Sequence, residues 1–119
     1  MNTEQKLINQ LKTSPENIQF DEVISTIQKH YSYTPTIFTN GSGTDSVINN
    51  AGENEGSCKI FAFAQLHNLT KQQTLHCFGD YYREDVLGFP EKKNHENIRQ
   101  FMKYGWDHMA FENKVLTKK

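Results

Sequence analysis

The chain has 119 residues and a mass of 13.8 kDa, enough for one ordinary domain and no more. Thirteen basic and fourteen acidic residues leave a formal net charge of -1, which gives no general electrostatic pull toward nucleic acid or anionic lipid. Hydrophobic residues reach only 35%, but eight Phe, five Tyr and one Trp supply rings for a compact core; this composition excludes a membrane span, a coiled coil, a collagen-like chain and a disulfide-dense mini-protein.

Taken in chain order, Leu7, Ile8 and Leu11 sit at helical spacing within Glu4 to Leu11, and Pro15 ends that helix. Phe20, Val23, Ile24, Ile27 and Tyr31 form one apolar stripe, predicting a second helix over 20–31. Pro35 restricts Thr34 to extended geometry, so Thr36 to Thr39 reads as a short strand. Asn40-Gly41-Ser42-Gly43 is turn chemistry, and Ser46 to Asn49 reads as the returning strand. After an irregular stretch, Ser57 is expected to cap a third helix running to about His67. Cys58, Ile60, Phe61, Ala62, Phe63, Ala64 and Leu66 make it apolar almost all round, the mark of a buried central helix. Thr70-Lys71-Gln72-Gln73 is a capping box that opens a fourth helix reaching Gly79. Asp80 to Leu87 reads as a further short helix, broken by Gly88-Phe89-Pro90. Asn94 is expected to cap a last helix with Ile98, Phe101 and Met102 inside and Gly105 at its end. Trp106 to Phe111 reads as a third strand, and the polar tail 113–119 as frayed. The sum is a single α+β domain over 1–119, mainly helical with about five helices and a small sheet of two or three short strands; an all-helical fold is the alternative.

Five features bear on function. The stretch Asn49 to Cys58 sets Glu53, Asn54, Glu55 and Ser57 around Gly52 and Gly56, a loop that could satisfy its own backbone, face a ligand or, least of all without EF-hand spacing, offer oxygens to a hard cation. Cys58 begins the central helix, where the dipole favours a thiolate, and five histidines are available to partner it. That makes it a weak catalytic candidate, because cysteine is also among the most buried residue types. His95-Glu96-Asn97-Ile98-Arg99 has the start of a zinc-protease pattern, but Arg99 stands where the second histidine should be. With no CxxC and no HxxxH either, no metal and no cofactor are expected. The chain uses eleven Lys and only two Arg, Arg83 and Arg99. Such sparing use points to places needing a planar, multidentate donor: a structural salt bridge, or an anion-binding pair in a cleft with Tyr82 and Trp106. Finally, residues 1–19 lack the basic start and apolar middle of a secretory signal, so the chain is expected in the cytosol, with its two cysteines as thiols.

Four blocks carry a resemblance. Tyr33-Thr34-Pro35-Thr36-Ile37-Phe38-Thr39-Asn40-Gly41 resembles the opening signature of the HopJ type III effector protein family. Residues 50–64 (NAGENEGSCKIFAFA), 74–87 (TLHCFGDYYREDVL) and 95–106 (HENIRQFMKYGW) are similar to its later blocks, so that the resemblance covers about 20–111. Ser42 to Asp45 is longer than the family's usual turn, and Glu91 to Asn94 lacks its common Gly-Asp; both departures lie in loops. The resemblance implies a small bacterial protein, found in the bacterial cytoplasm and delivered into a host cell by type III secretion, where its partner would be an unknown host protein. It implies no reaction and no catalytic residues. Residues before Phe20 would then be the secretion signal; their Asn, Gln and Thr content permits that, Leu7, Ile8 and Leu11 suggest an ordinary packed helix, and whether the segment is mobile or docked is the observable. The alternative expectation is a resident cytosolic module for a small anionic ligand, using Glu53, Asn54, Glu55, Ser57, Tyr82, Arg83, Arg99 and Trp106. A small hydrolase built on Cys58 and a histidine ranks last. Neither a nucleic acid nor a membrane partner is expected.

Overall fold

A computed structural model describes residues 2–119. Helix α1 (Thr3–Thr13) is opened by a reciprocal capping box between Asn2 and Gln5 and lays Leu7 and Leu11 into the interior. A 3₁₀ turn (Pro15–Asn17) leads to α2 (Phe20–His30), whose buried face carries Val23 and Ile27. The chain then extends as β1 (Tyr31–Tyr33), passes Pro35, and forms the antiparallel pair β2 (Phe38–Asn40) and β3 (Val47–Asn49), with Phe38 opposite Asn49 and Asn40 opposite Val47.

The central helix α3 (Glu55–Leu66) buries Cys58, Ile60, Phe61, Ala62, Phe63 and Ala64. Phe61 is the hub of the core: its ring lies 4.9 Å from Phe101, 5.3 Å from Phe78, 6.3 Å from Phe38 and 6.4 Å from Trp106. Its close contacts are tilted or edge-on, as the ring quadrupole favours. Helix α4 (Lys71–His76) starts at the predicted Thr70–Gln73 capping box. Tyr81–Val86 winds as a π-helical turn, with the Leu87 N–H bonded five residues back to the Tyr82 carbonyl at 3.0 Å. Helix α5 (Glu96–Tyr104) follows, then a 3₁₀ turn (Gly105–His108), β4 (Ala110–Phe111) and β5 (Leu116–Lys118).

Two small antiparallel sheets result, one in the order β3-β2-β4 and one pairing β1 with β5. The protein is therefore an α+β domain, mainly helical, as expected from its pattern. Four local expectations are corrected. Asn54, not Ser57, caps α3, because an Asn side chain tolerates the left-handed conformation (φ 50°) that turns the chain into the helix. His95, not Asn94, caps α5, also left-handed at φ 54°. Trp106 belongs to the 3₁₀ turn, leaving only Ala110–Phe111 as strand; its indole N–H instead donates to the Leu69 carbonyl at 3.1 Å. The tail does not fray: Val115 and Leu116 are buried, and Leu116–Lys118 pairs with Tyr31–Tyr33, so both ends of the chain close against the same part of the core. Helix α1 is docked through Leu7 and Leu11, as their helical spacing suggests.

Candidate functional site

A recess of about 510 Å³ opens where the first turns of α3 and α5 meet. Asn54, Gly56 and Ser57 form one wall and His95, Glu96, Asn97 and Ile98 the facing one; Phe20, Phe78 and Tyr81 make an aromatic floor, and Lys93 and Asn94 a polar lip. Gly56 lies close against Phe20: a Cβ there would come within 3.0 Å of the ring edge, so glycine lets α3 approach the floor. Gly79 does the same beneath, at φ 59°, where a Cβ would stand 2.7 Å from the Phe20 nitrogen. Phe20 in turn meets Tyr81 edge-on at 5.0 Å.

Four carboxamides hold the two walls together. Asn97 on α5 accepts at Oδ1 from Asn49 (3.1 Å) and Asn40 (3.2 Å), and donates to Asn49 Oδ1 at 2.9 Å. Asn40 also donates to the Asn97 carbonyl at 2.8 Å. Asn54 at the start of α3 donates to the same Asn49 Oδ1 at 2.7 Å. Asn40, Asn49 and Asn97 are all buried. The β2-β3 ladder thus places two amides between two helix starts and fixes both. Sequence reasoning did not identify this cluster; the available signal was strand periodicity, since Asn40 lies two residues from Phe38 and must share its inward face.

Neither helix start receives a side-chain cap, so both leave first-turn N–H groups beside the recess. These two ends and Lys93 share the recess with the Glu96 carboxylate, so donors and an acceptor both face it. His95 is already engaged: its Nε2 meets Asp85 Oδ2 at 3.1 Å and its ring lies 5.3 Å from Tyr81.

The residues singled out from the sequence divide sharply. Asn54 and Ser57 line the recess. Glu53 turns back to accept from the Asn50 N–H at 2.9 Å, and Glu55 faces the Tyr33 phenol. Tyr82 is buried and receives a hydrogen bond from Gln72 at 2.9 Å; Trp106 packs on Phe101 at 4.9 Å. The two arginines are not brought together at the recess. Arg83 donates to the carbonyls of Ile18, Pro15 and His76, locking the turn before α2 onto α4. Arg99 donates to the carbonyls of Asn94 (2.6 Å), Phe89 (3.1 Å) and Pro90 (3.3 Å) and to Asn94 Oδ1 (2.9 Å). Both meet the need for a planar donor, chiefly at backbone carbonyls, with the Asn94 amide oxygen added for Arg99 and the His76 ring (3.1 Å) and Asp80 carboxylate (3.9 Å) for Arg83.

Cys58 is 1% exposed. Burial pushes its thiol up to about 11, with the Glu55 charge adding to it, against the opposing hydrogen bond to Tyr33. Burial likewise pushes Cys77 up to about 12. At neutral pH both are thiols, the unreactive form, and the groups that act on Cys58 are Tyr33, Glu55, Lys59 and the Thr36 backbone rather than a histidine.

The family model for the HopJ type III effector protein matches residues 4–116. No curated protein matches the chain. Among solved structures, the chain is similar to the crystal structure of the unknown function protein VPA0580, with 49% identity, a TM-score of 0.92, and coverage of 97% of this chain and 92% of that one.

Proposed function

The chain belongs to the HopJ type III effector protein family, and from that membership we propose that it is delivered by a type III secretion apparatus and acts by binding a partner inside the receiving cell. The observation that carries this reading is the extent of the match, 4–116, which takes in every helix and strand of the domain except the first residue of α1 and the last two of β5. The two thiols, both buried and both held protonated, weigh against a cysteine nucleophile as the source of the chain's action. The export signal would be read from α1, a helix that docks Leu7 and Leu11 in the folded chain, so delivery requires that helix to leave its place. The test compares culture supernatant with cell lysate in bacteria whose secretion apparatus is intact or disabled. The expected result is the native chain in the supernatant only when the apparatus is intact. Retention in the cells of both strains overturns the proposal.

A further inference from the structure

The corner between the π-helical turn and α5 exposes apolar side chains that the core could have taken. Leu87 is 48% and Phe89 52% exposed. Leu87 lines a groove of about 380 Å³ with Val86, Pro90, Met102, Arg99 and Lys103, and Phe89 stands beside Pro90 at its edge. This corner is built rather than loose. Arg99 pins it from below through the carbonyls of Phe89, Pro90 and Asn94, and the Lys92 ammonium stands 4.2 Å over the Phe89 ring. Fixing an aromatic side chain outward removes most of the ordering cost that a partner would otherwise meet.

The lining of the groove carries charge of one sign, and Lys92, Lys93 and Arg99 outnumber the single carboxylate of the turn, Glu91. No carboxylate lines the groove. Lys103 is neutralised by Asp45 at 2.9 Å. The partners of Arg99 are carbonyls and one amide, all neutral, and among the described residues neither Arg99 nor Lys92 forms an ion pair with a carboxylate. Two uncompensated cations therefore flank an outward Phe and Leu. That combination fits apolar side chains for the groove and carboxylates for its rim.

We propose that this corner docks a segment of a partner protein carrying apolar residues flanked by Asp or Glu, with Phe89 and Leu87 as anchors and Lys92 and Arg99 supplying the attraction. This names the partner chemistry of the delivery reading and rests on that reading only for where the encounter happens. Binding is measured on purified protein, so failure of docking and failure of export are separate results.

The experiment pans a displayed random peptide library on the purified chain and titrates the enriched sequences, as labelled synthetic peptides, against wild type, Phe89→Asp and Lys92→Glu by fluorescence anisotropy. Both positions are exposed, and unchanged thermal melting confirms that the variants fold. The expected outcome is enrichment of peptides combining Leu, Ile, Phe or Trp with Asp or Glu. Their affinity falls about tenfold or more in Phe89→Asp, the effect of losing one desolvated anchor, and severalfold in Lys92→Glu and at raised salt. Peptides that bind Phe89→Asp as tightly as wild type, enrichment of neutral or basic sequences, or no enrichment at all would overturn it. So would a wild-type dimer in sedimentation that Phe89→Asp dissolves, because the occupant would then be a second copy of the chain.

Discussion

Two buried polar clusters fasten this small domain, and they are built from opposite chemistry. Where the ends of the chain meet, the Glu4 carboxylate accepts hydrogen bonds from Tyr31 and Lys118 and lies 3.1 Å from His67 Nε2, joining α1, β1, the end of α3 and β5. At the recess, Asn40, Asn49, Asn54 and Asn97 join β2, β3, α3 and α5 with neutral groups alone. A charged hub is strong only while it is charged. A carboxamide ladder makes weaker bonds, but its strength does not change with pH. The fold thus places its pH-sensitive fastening at the termini and its pH-insensitive one beside the candidate site.

Removing the charge of the first cluster has the largest expected effect. Burial by itself raises the Glu4 carboxyl, but hydrogen bonds from Lys118, Tyr31 and His67, and the Lys118 charge, outweigh it and bring it from 4.5 to about 2. The folded value lies below the unfolded one, so the native state binds fewer protons than the unfolded chain in this range. The stabilisation is therefore complete above pH 4.5 and is lost as the pH falls through about 2. That difference corresponds to about 3 kcal/mol at neutral pH. Glu4→Gln should lower unfolding stability by that order in urea titrations at pH 7, and the gap to wild type should close between pH 4.5 and 2. A gap that stays constant across this window would show that the hub works by packing.

The neutral cluster gives the next effect. Asn97→Ala removes both the acceptor and the donor that Asn49 uses on α5 and leaves the Asn49 amide short of partners. The expected loss is about 2 kcal/mol, the usual cost of a buried polar group left without a partner. It should be the same at pH 5 as at pH 8, the reverse of the Glu4 result. A pH-dependent loss would mean that a titratable neighbour shares the load.

These clusters also show what a sequence discloses. The stripe at Phe20, Val23, Ile24 and Ile27, the all-round apolar character of 58–66 and the Thr70–Gln73 box each encode a helix within a few neighbouring residues, and each helix formed. The β5 strand was not legible, because its one buried residue is Leu116 and its partner lies more than 80 positions away at Tyr31–Tyr33. The Asn cluster was hidden for a related reason. Carboxamides ordinarily mark turns and loops, and only the pairing of β2 with β3 brings Asn40 and Asn49 to one place. For the arginines, scarcity correctly indicated a multidentate role, but five N–H donors can be shared among several carbonyls as well as spent on one carboxylate. Only the fold decides between them, and it set both chiefly on backbone.

A chemical probe separates packing from reactivity near the recess. Cys58 and Cys77 should react with a thiol reagent at neutral pH far more slowly than free cysteine, and both should react at once in denaturant. Rapid labelling of one thiol in the folded chain would place a reactive group beside the α3 start and reopen a covalent role.

The smallest effect discriminates most finely. Lys118 pairs with Glu4, and its ammonium stands 4.8 Å from the centre of the Tyr31 ring, but its side chain is 55% exposed. Solvent screening reduces such a pair to about 0.5–1 kcal/mol, so Lys118→Met, which keeps most of the stem, should lower stability only slightly at pH 7. Its effect on the acid limb is of another kind. Lys118 supplies the foremost of the interactions that hold the Glu4 carboxyl down, both by hydrogen bond and by charge. Without it the folded Glu4 carboxyl titrates at higher pH, so the small loss seen at pH 7 should shrink as the pH falls below 4.5 and vanish toward pH 2. A variant that loses stability uniformly at every pH would assign Lys118 to strand pairing alone, through the Tyr31–Lys118 register of β1 and β5. A loss present at neutral pH that closes on acidification would assign it to the charge balance of the hub, and would tie the last strand of the chain electrostatically to the first helix.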